Sequence, residues 1–474
     1  MTRQAYAPIP CRAMPPAADA APSPLPAWSV LPFAGLLLAI AVLPLVHRTA
    51  HWWESNGNKF VVSIACGLAA LAAIASAHGA GAARDAVGHA MAEFVPFIVL
   101  LFSLYVISGG ILISGDLRGT PLLNTSLLAL GTVAANVLGT TGASMLLIRP
   151  ILRANASRAH RVHVVVFFIF LVSNIGGLLL PIGDPPLFLG YLRGVPFGWT
   201  LGLFREWMVA TAALLVLFYF LDAHLARREG RTAEPAPPTD EQASPTIRVS
   251  GAENAVWLAG VVLAAAFLVP GKAIGRWTVP DGAREAAMIL CAVASLRTTP
   301  RAVRERNRFT YGPIVEVAAL FGGLFLAMQP ALEILVERGG RLGLRSEAHF
   351  FWATGILSSF LDNAPTYLVF ADVARAVTPQ DAAAAGAGAA GAAGAAPALV
   401  PFSGGMVDAG LLAAVSCGAV FMGANTYIGN GPNLMVAAIA REDGVRMPTF
   451  FGYMAWSGAV LLPLFAAITW IFFA

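Results

Sequence analysis

"SNIGGLLLPIGDPPLFLG", residues 173–190, begins as an apolar helix and then breaks itself. Gly176, Gly177, Pro181, Gly183, Pro185 and Pro186 crowd into a few positions, with Asp184 among them. Proline removes a backbone donor and blocks the helix, and glycine relaxes it, so carbonyl and N–H groups are left free where they fall. Whether that matters depends on the solvent around the break, and the rest of the chain fixes that solvent. Of 474 residues, 57% are hydrophobic and 12% charged, and the mean hydropathy is +0.71. Soluble domains carry roughly 25% charged residues. Several apolar runs reach the roughly 20 residues a helix needs to cross hydrocarbon, and none alternates as barrel strands do. An all-α polytopic membrane protein is therefore expected, with the lipid bilayer as its first partner.

The formal charge of +4 is modest, and its arginines gather in loops rather than along an aromatic groove, so no nucleic-acid partner is expected. Cys11, Cys66, Cys291 and Cys417 are scattered and form no CxxC pair, so they serve as small apolar fillers. No HExxH or P-loop is present, and Pro181 stands where an intramembrane aspartyl protease would have the first glycine of its GxGD motif. An enzyme is not expected, nor any cofactor beyond a sodium ion and a proton as transported or coupling ions.

Outward from the opening stretch, candidate spans lie at 30–46, 59–77, 94–114, 162–181, 203–221, 255–270, 284–297, 312–330, 411–440 and 449–473. Two more apolar stretches, 125–148 and 349–372, carry polar residues at their middles: "NVLGTTGASMLLIRPIL" and "LSSFLDNAPTYLVF". Each fits a re-entrant hairpin that enters and leaves on one side, its irregular tip sheltered by protein. Residues 1–27 form a Pro- and Ala-rich tail, expected to be disordered. Residues 224–251 form a polar linker, and 381–400 an Ala/Gly-rich loop.

The linker separates two halves, 28–223 and 252–474, with the same order: three spans, a hairpin, two spans, the first of them broken. Shifting by about 222 positions lays "TTGASMLL" over "DNAPTYLV", and by 246 lays "PIGDPP" over "YIGNGP". A repeat with five crossings forces the next to start on the opposite side, so the repeats are expected to be inverted, an organisation shared by many secondary transporters. Loops holding Arg149, Arg153, Arg158 and Arg161, then Arg227, Arg228 and Arg231, then Arg297, Arg301, Arg304, Arg306 and Arg308 fall on one side, which the positive-inside rule makes cytoplasmic. Both termini would then lie outside.

The second half breaks its own helix at "GANTYIGNGPNLM", 423–435, where Asn425, Thr426, Asn430 and Asn433 add side-chain oxygens. Two broken helices facing two polar tips make a midplane pocket of oxygen ligands suited to a hard cation such as sodium. An ionised Asp at a helix centre costs about 2.5–3.5 kcal/mol on insertion scales, so Asp184 and Asp362 point to function. Glu316, inside "YGPIVEVAALFGGLFLAM", is a possible proton carrier or the partner of a loop arginine.

These motifs, with "PFIVLLFSLYVISGGI" at 96–111, resemble the sodium/proton antiporter-like members of the ion transporter superfamily, which also holds citrate and dicarboxylate symporters and arsenite permeases. The resemblance runs from about residue 30 to the end. It implies a scaffold part, often dimerising, and a transport part carrying hairpins and broken helices. By motif position it places ion contacts at Thr140, Thr141, Ser173, Asn174 and Asp184, and at Asp362, Asn363, Asn425 and Thr426. Carboxylate symporters of the superfamily carry Ser-Asn-Thr at tips and breaks; here stand Ser173-Asn174-Ile175 and Ala424-Asn425-Thr426. The expected function is sodium/proton antiport by alternating access in the plasma (inner) membrane, with Asn430 in the same pocket. Sodium-coupled symport of citrate or another organic anion is the alternative.

Overall fold

The computed structural model describes residues 25–474 apart from 45, 54, 115–117, 230–247, 269, 272, 275–276, 308, 339–342, 362 and 380–397. Helices, in order, are α1 (Leu31–Val42), α2 (His47–Trp53), α3 (Asn56–Ser108), α4 (Pro121–Ala154), α5 (Val162–Leu171), α6 (Pro185–Leu192), α7 (Phe204–Glu229), α8 (Asn254–Phe267) and α9 (Ala283–Thr298). They continue as α10 (Arg301–Arg306), α11 (Gly312–Ala327), α12 (Gln329–Arg338), α13 (Glu347–Phe360), α14 (Asn363–Val377), α15 (Ala409–Met422), α16 (Gly431–Glu442) and α17 (Phe450–Ile468). Among the described residues, strands form only short antiparallel pairs: Leu112–Ser114 with Arg248–Ser250, Ala273–Ile274 with Trp277–Thr278, and Leu399–Phe402 with Gly405–Asp408. Among the described residues, five helical stretches are long and apolar enough to cross a bilayer, Asn56–Ser108, Pro121–Ala154, Val162–Leu179, Trp199–Glu229 and Phe450–Phe473. The chain is a multi-pass helical membrane protein.

The expected spans 59–77 and 94–114 fall on two arms of α3 that meet at Gly79. α3 departs from helical geometry only at Gly79 (φ 87°) and ends at Ser108. The stretch between them, "HGAGAARDAVGHAMAE", is rich in alanine, the strongest helix former, so the helix resumes after its glycine. α3 packs along α11 and α9, with α1 and α8 beside it, and Phe97 stacks on Phe321 at 5.1 Å between ring centroids. α7 runs to Glu229, into the stretch taken as linker. Residues 1–24 of the tail and 380–397 of the Ala/Gly tract lie outside the described residues.

Both hairpins turn where the sequence places polar residues. In α4, Gly139 takes φ 73°, ψ 154°, a conformation open to glycine and costly for other residues, and it divides the helix into arms 121–138 and 140–154. In the second, Leu361 is extended between α13 and α14. Both spans with glycine-proline breaks are interrupted. α5 gives way to a 3-10 turn at Ile175–Leu179 before α6 starts on Pro185 and Pro186, and α15 gives way to a turn at Gly423–Asn425 before α16 starts on Gly431 and Pro432.

The two breaks close in the same way. A Cβ on Gly183 would collide with the carbonyl oxygen of Gly177, and one on Gly429 with that of Gly423. Both pairs are related by the 246-residue shift found in the sequence. The flanking ends diverge. Arg161, before α5, lies 3.7 Å from Asp443, after α16, whereas Arg193, after α6, lies 3.5 Å from Asp372 in α14. Gly183→Ala and Gly429→Ala are expected to lower the apparent unfolding midpoint of the purified protein, by an overpacking cost of about 1–3 kcal/mol each. Gly431→Ala, whose added Cβ meets open space, should leave the midpoint unchanged in the same thermal scan.

Candidate ion-binding site

Asp184 is the residue on which the two hairpins and two breaks converge. It precedes α6 in extended conformation (φ −141°, ψ 141°), and only 1% of its surface is exposed. Thr140, the first residue after the Gly139 break, donates its hydroxyl to Asp184 Oδ1 at 2.9 Å. Asn363, the first residue of α14, donates its amide to Oδ2 at 2.5 Å. Asn430, from the second break, donates to Oδ1 at 3.3 Å. The Thr140 backbone N–H is held by the Gly183 carbonyl at 2.8 Å, so the first tip is fastened to the first break independently of any side chain. A buried charge is costly unless hydrogen-bonded, and these donors offset that cost while drawing four elements together.

Around this centre the amides form a chain. The Asn430 amide also reaches the Ser173 carbonyl at 3.0 Å and Asn174 Oδ1 at 3.3 Å. Asn174 donates to Asn433 Oδ1 and to the Ile169 carbonyl, each at 2.8 Å. Asn433 donates to the carbonyls of Gly423 and Thr426, each at 2.9 Å. Backbone carbonyls freed by the breaks are thus taken up by asparagine side chains, that of Ser173 by Asn430 of the other break and those of Gly423 and Thr426 by Asn433 of their own, as water-free surroundings require. The Oδ1 atoms of Asn363 and Asn425 are buried and accept no hydrogen bond among the described residues.

A cavity of about 430 Å³ reaches this cluster, with Thr140, Thr141, Gly183 and Asn430 in its wall, and also Lys59, Glu316 and Arg441. Arg441 lies ten residues along α16 from Gly431, roughly 15 Å at 1.5 Å per residue, so the cavity extends from the break toward the Arg161 end of the molecule. Asp184 itself stands behind Thr140 and Asn430.

Compared with known families, residues 22–473 match the family model described as "Putative citrate transport". The chain belongs to that family. No curated protein matches it. This member of the citrate transport family is a membrane transporter.

Within the transporter, the residues expected from the sequence divide into groups. Thr140, Asn363 and Asn430 touch Asp184, and Ser173 and Asn174 touch Asn430. Thr141 lies on the cavity wall. Asn425 and Thr426 bond elsewhere: Asn425 donates to Ser359 Oγ at 2.9 Å and Thr426 to the Ser359 carbonyl, fastening the second break to α13. Asp362 lies outside the described residues. Glu316 meets no loop arginine among the described residues. It pairs with Lys59 at 2.5 Å, the lysine 7% and the glutamate 41% exposed in their side chains.

Lys59 was not singled out from the sequence. Its signal is rarity, since Lys59 and Lys272 are the chain's two lysines and Lys59 opens an apolar span. His163 is buried in α5, 2.8 Å from Asp222 Oδ1. Asp222 also accepts from Arg158 and, at 2.9 Å, from Asn124, whose amide pairs reciprocally with that of Asn155. This network clasps both ends of α4 to α5 and α7 and holds the base of the first hairpin. Because Asn433 satisfies carbonyls of the second break, Asn433→Leu should destabilise the transporter by about 1–3 kcal/mol per buried group left without a partner. The check is the thermal midpoint in detergent, which should fall without loss of the helical circular dichroism signal at low temperature.

Proposed function

We propose that this transporter exchanges sodium for protons by alternating access, with Asp184 as the group that holds one or the other. The observation that carries the reading is the convergence of both tips and both breaks on one buried carboxylate. An exchanger needs a group that binds cation or proton but not both together, and a carboxylate does this. Thr140, Asn363 and Asn430 supply the polar surroundings, and the two acceptor oxygens without donors, on Asn363 and Asn425, are the kind a hard cation satisfies. The proposed ion contacts are these residues with Thr141, Ser173, Asn174 and Thr426, and Asp362 from the sequence.

The architecture proposed with it is a pair of inverted repeats. Its support is the shared construction of the breaks at a 246-residue shift, and the divergence of their flanking ends toward Asp443 and Asp372. Halves pointing opposite ways give two nearly equivalent conformations, one open to each side. A homodimer in the plasma membrane, with the loops that hold Arg149, Arg153, Arg158 and Arg161 toward the cytoplasm, belongs to the same proposal.

Symport of an organic anion is the second reading, favoured by the cavity. A volume of about 430 Å³ far exceeds one sodium ion, and Lys59 and Arg441 in its wall offer positive charge. The family's description points the same way. Against it stand the carboxylates of Asp184 and Glu316 at that cavity.

Flux in proteoliposomes separates the two. Asp184→Asn should abolish sodium-driven proton movement, read with an interior pH dye, while protein levels in the membrane stay near normal. Asn430→Asp, which sets a second carboxylate 3.3 Å from Asp184 in place of a donor, should also impair exchange despite its matched size. Wild-type flux in Asp184→Asn, or sodium-dependent uptake of labelled citrate without sodium-driven proton exchange, would discard antiport.

A further inference from the structure

α6 is a short rod with the ion site at one end and an ion pair at the other. Asp184 precedes it, Arg193 follows it, and Pro185 and Pro186 form its first turn, so the two charged residues are joined by one stiff helix roughly 12 Å long at 1.5 Å per residue. At the far end the Arg193 guanidinium is gripped from two directions. Its Nη1 lies 3.5 Å from Asp372 Oδ2 and donates to Ser403 Oγ at 3.0 Å, while the Arg193 carbonyl accepts the Ser403 N–H at 2.7 Å. Asp372 lies 3.4 Å from Arg375 and belongs to the second hairpin. The other grip is different in kind. Arg193 Nε bonds Glu93, which stands on α3, the long helix packed along α11 and α9.

Two more contacts fasten the same end of α6 to that layer. Tyr191 donates to the Ala265 carbonyl in α8 at 2.8 Å, and Arg284 of α9, paired with Glu285, lies over Phe188 and Tyr191 at 5.9 and 6.0 Å. The cavity, by contrast, runs along α16 toward Arg441 and Asp443, the end marked by Arg161. The structure is therefore accessible on the Arg161 side and pinned on the Arg193 side.

We infer that the Arg193–Glu93 pair is the latch that closes the Asp184 site on the Arg193 side, with α6 as the lever joining latch to site. The inference rests on the alternating-access reading. Exposing Asp184 on the opposite side requires the end of α6 to leave α3, so the bond to Glu93 breaks while those to Asp372 of the second hairpin and to Ser403, in the turn between strands Leu399–Phe402 and Gly405–Asp408, travel with it. Arg193 is a positioning residue: it sets which side is open and does not touch the cargo. Removing the latch shifts the population toward the conformation closed on the Arg161 side.

The experiment uses the full chain in lipid nanodiscs, its native cysteines replaced and Ala438→Cys added. Ala438 is exposed on the cavity wall, along α16, and becomes covered when that side closes. The rate of its modification by a soluble maleimide reports the population open on the Arg161 side and needs no ion gradient or known cargo. Glu93→Gln should slow labelling several-fold, and Arg193→Lys, which keeps the charge but loses the two-armed fork, should slow it less. Unchanged labelling in both overturns the latch, and if Glu93→Gln does not fold, Arg193→Lys decides alone. Labelling of the parent chain that responds to sodium or pH while the variants match it discards the latch and leaves alternating access standing. Labelling insensitive to every condition and variant discards both.

Discussion

Backbone groups freed inside a membrane have to be satisfied by protein, and the whole architecture follows from how this chain does it. Each helix break releases carbonyls where no water competes for them, and asparagine side chains take them up: Asn430 of the second half holds the Ser173 carbonyl of the first, while Asn433 holds Gly423 and Thr426 of its own break and is itself held by Asn174 of the first half. The two breaks are joined through Asn430 and through the Asn174–Asn433 bond. Glycines at 177, 183, 423 and 429 let the loops fold tightly enough for those bonds to form.

Into this amide network the chain inserts the carboxylate of Asp184, and the asymmetry is chemically telling. Asn430 stands 246 residues after Asp184, at the equivalent place in the second break, so the related positions carry a carboxylate and an amide. The amide donates to the carboxylate, an arrangement two carboxylates could not make without sharing a proton. Thr140 and Asn363, the first residues of the second arms of their hairpins, donate to the same group. Asp184 thus takes its donors from both halves of the chain.

The other buried charges serve as fasteners. Asp222 gathers Arg158, His163 and Asn124 at the base of the first hairpin, Lys59 meets Glu316 between α3 and α11, and Arg193 meets Asp372 and Glu93. Each pairing joins segments far apart in the chain. A buried ion pair adds little net stability, because desolvation consumes most of the Coulomb gain, but breaking one is costly, and so such pairs fix which surfaces meet.

What the sequence determined by itself was whatever local chemistry dictates: a membrane-spanning helical chain from its apolar runs, hairpin tips from polar residues amid apolar ones, breaks from glycine and proline, and Asp184 from the cost of charge in hydrocarbon. The relation between the breaks was legible as well, since the same backbone geometry demands glycine and proline at the same places. Tertiary structure decided the partners. Nothing local distinguishes Asn363, which reaches Asp184, from Asn425, which turns to Ser359, because that depends on how two hairpins from distant parts of the chain dock. Lys59, His163 and Asp222 were likewise silent, since the meaning of a lone charge near an apolar run rests on the residue it meets. The helical lead from Gly79 into the expected 94–114 span was decided by an alanine-rich stretch whose helicity a loop-like glycine content concealed. Periodicity and composition act over a few turns of helix, whereas a site assembled across hundreds of residues is specified only when packing brings its donors and acceptors within hydrogen-bond reach.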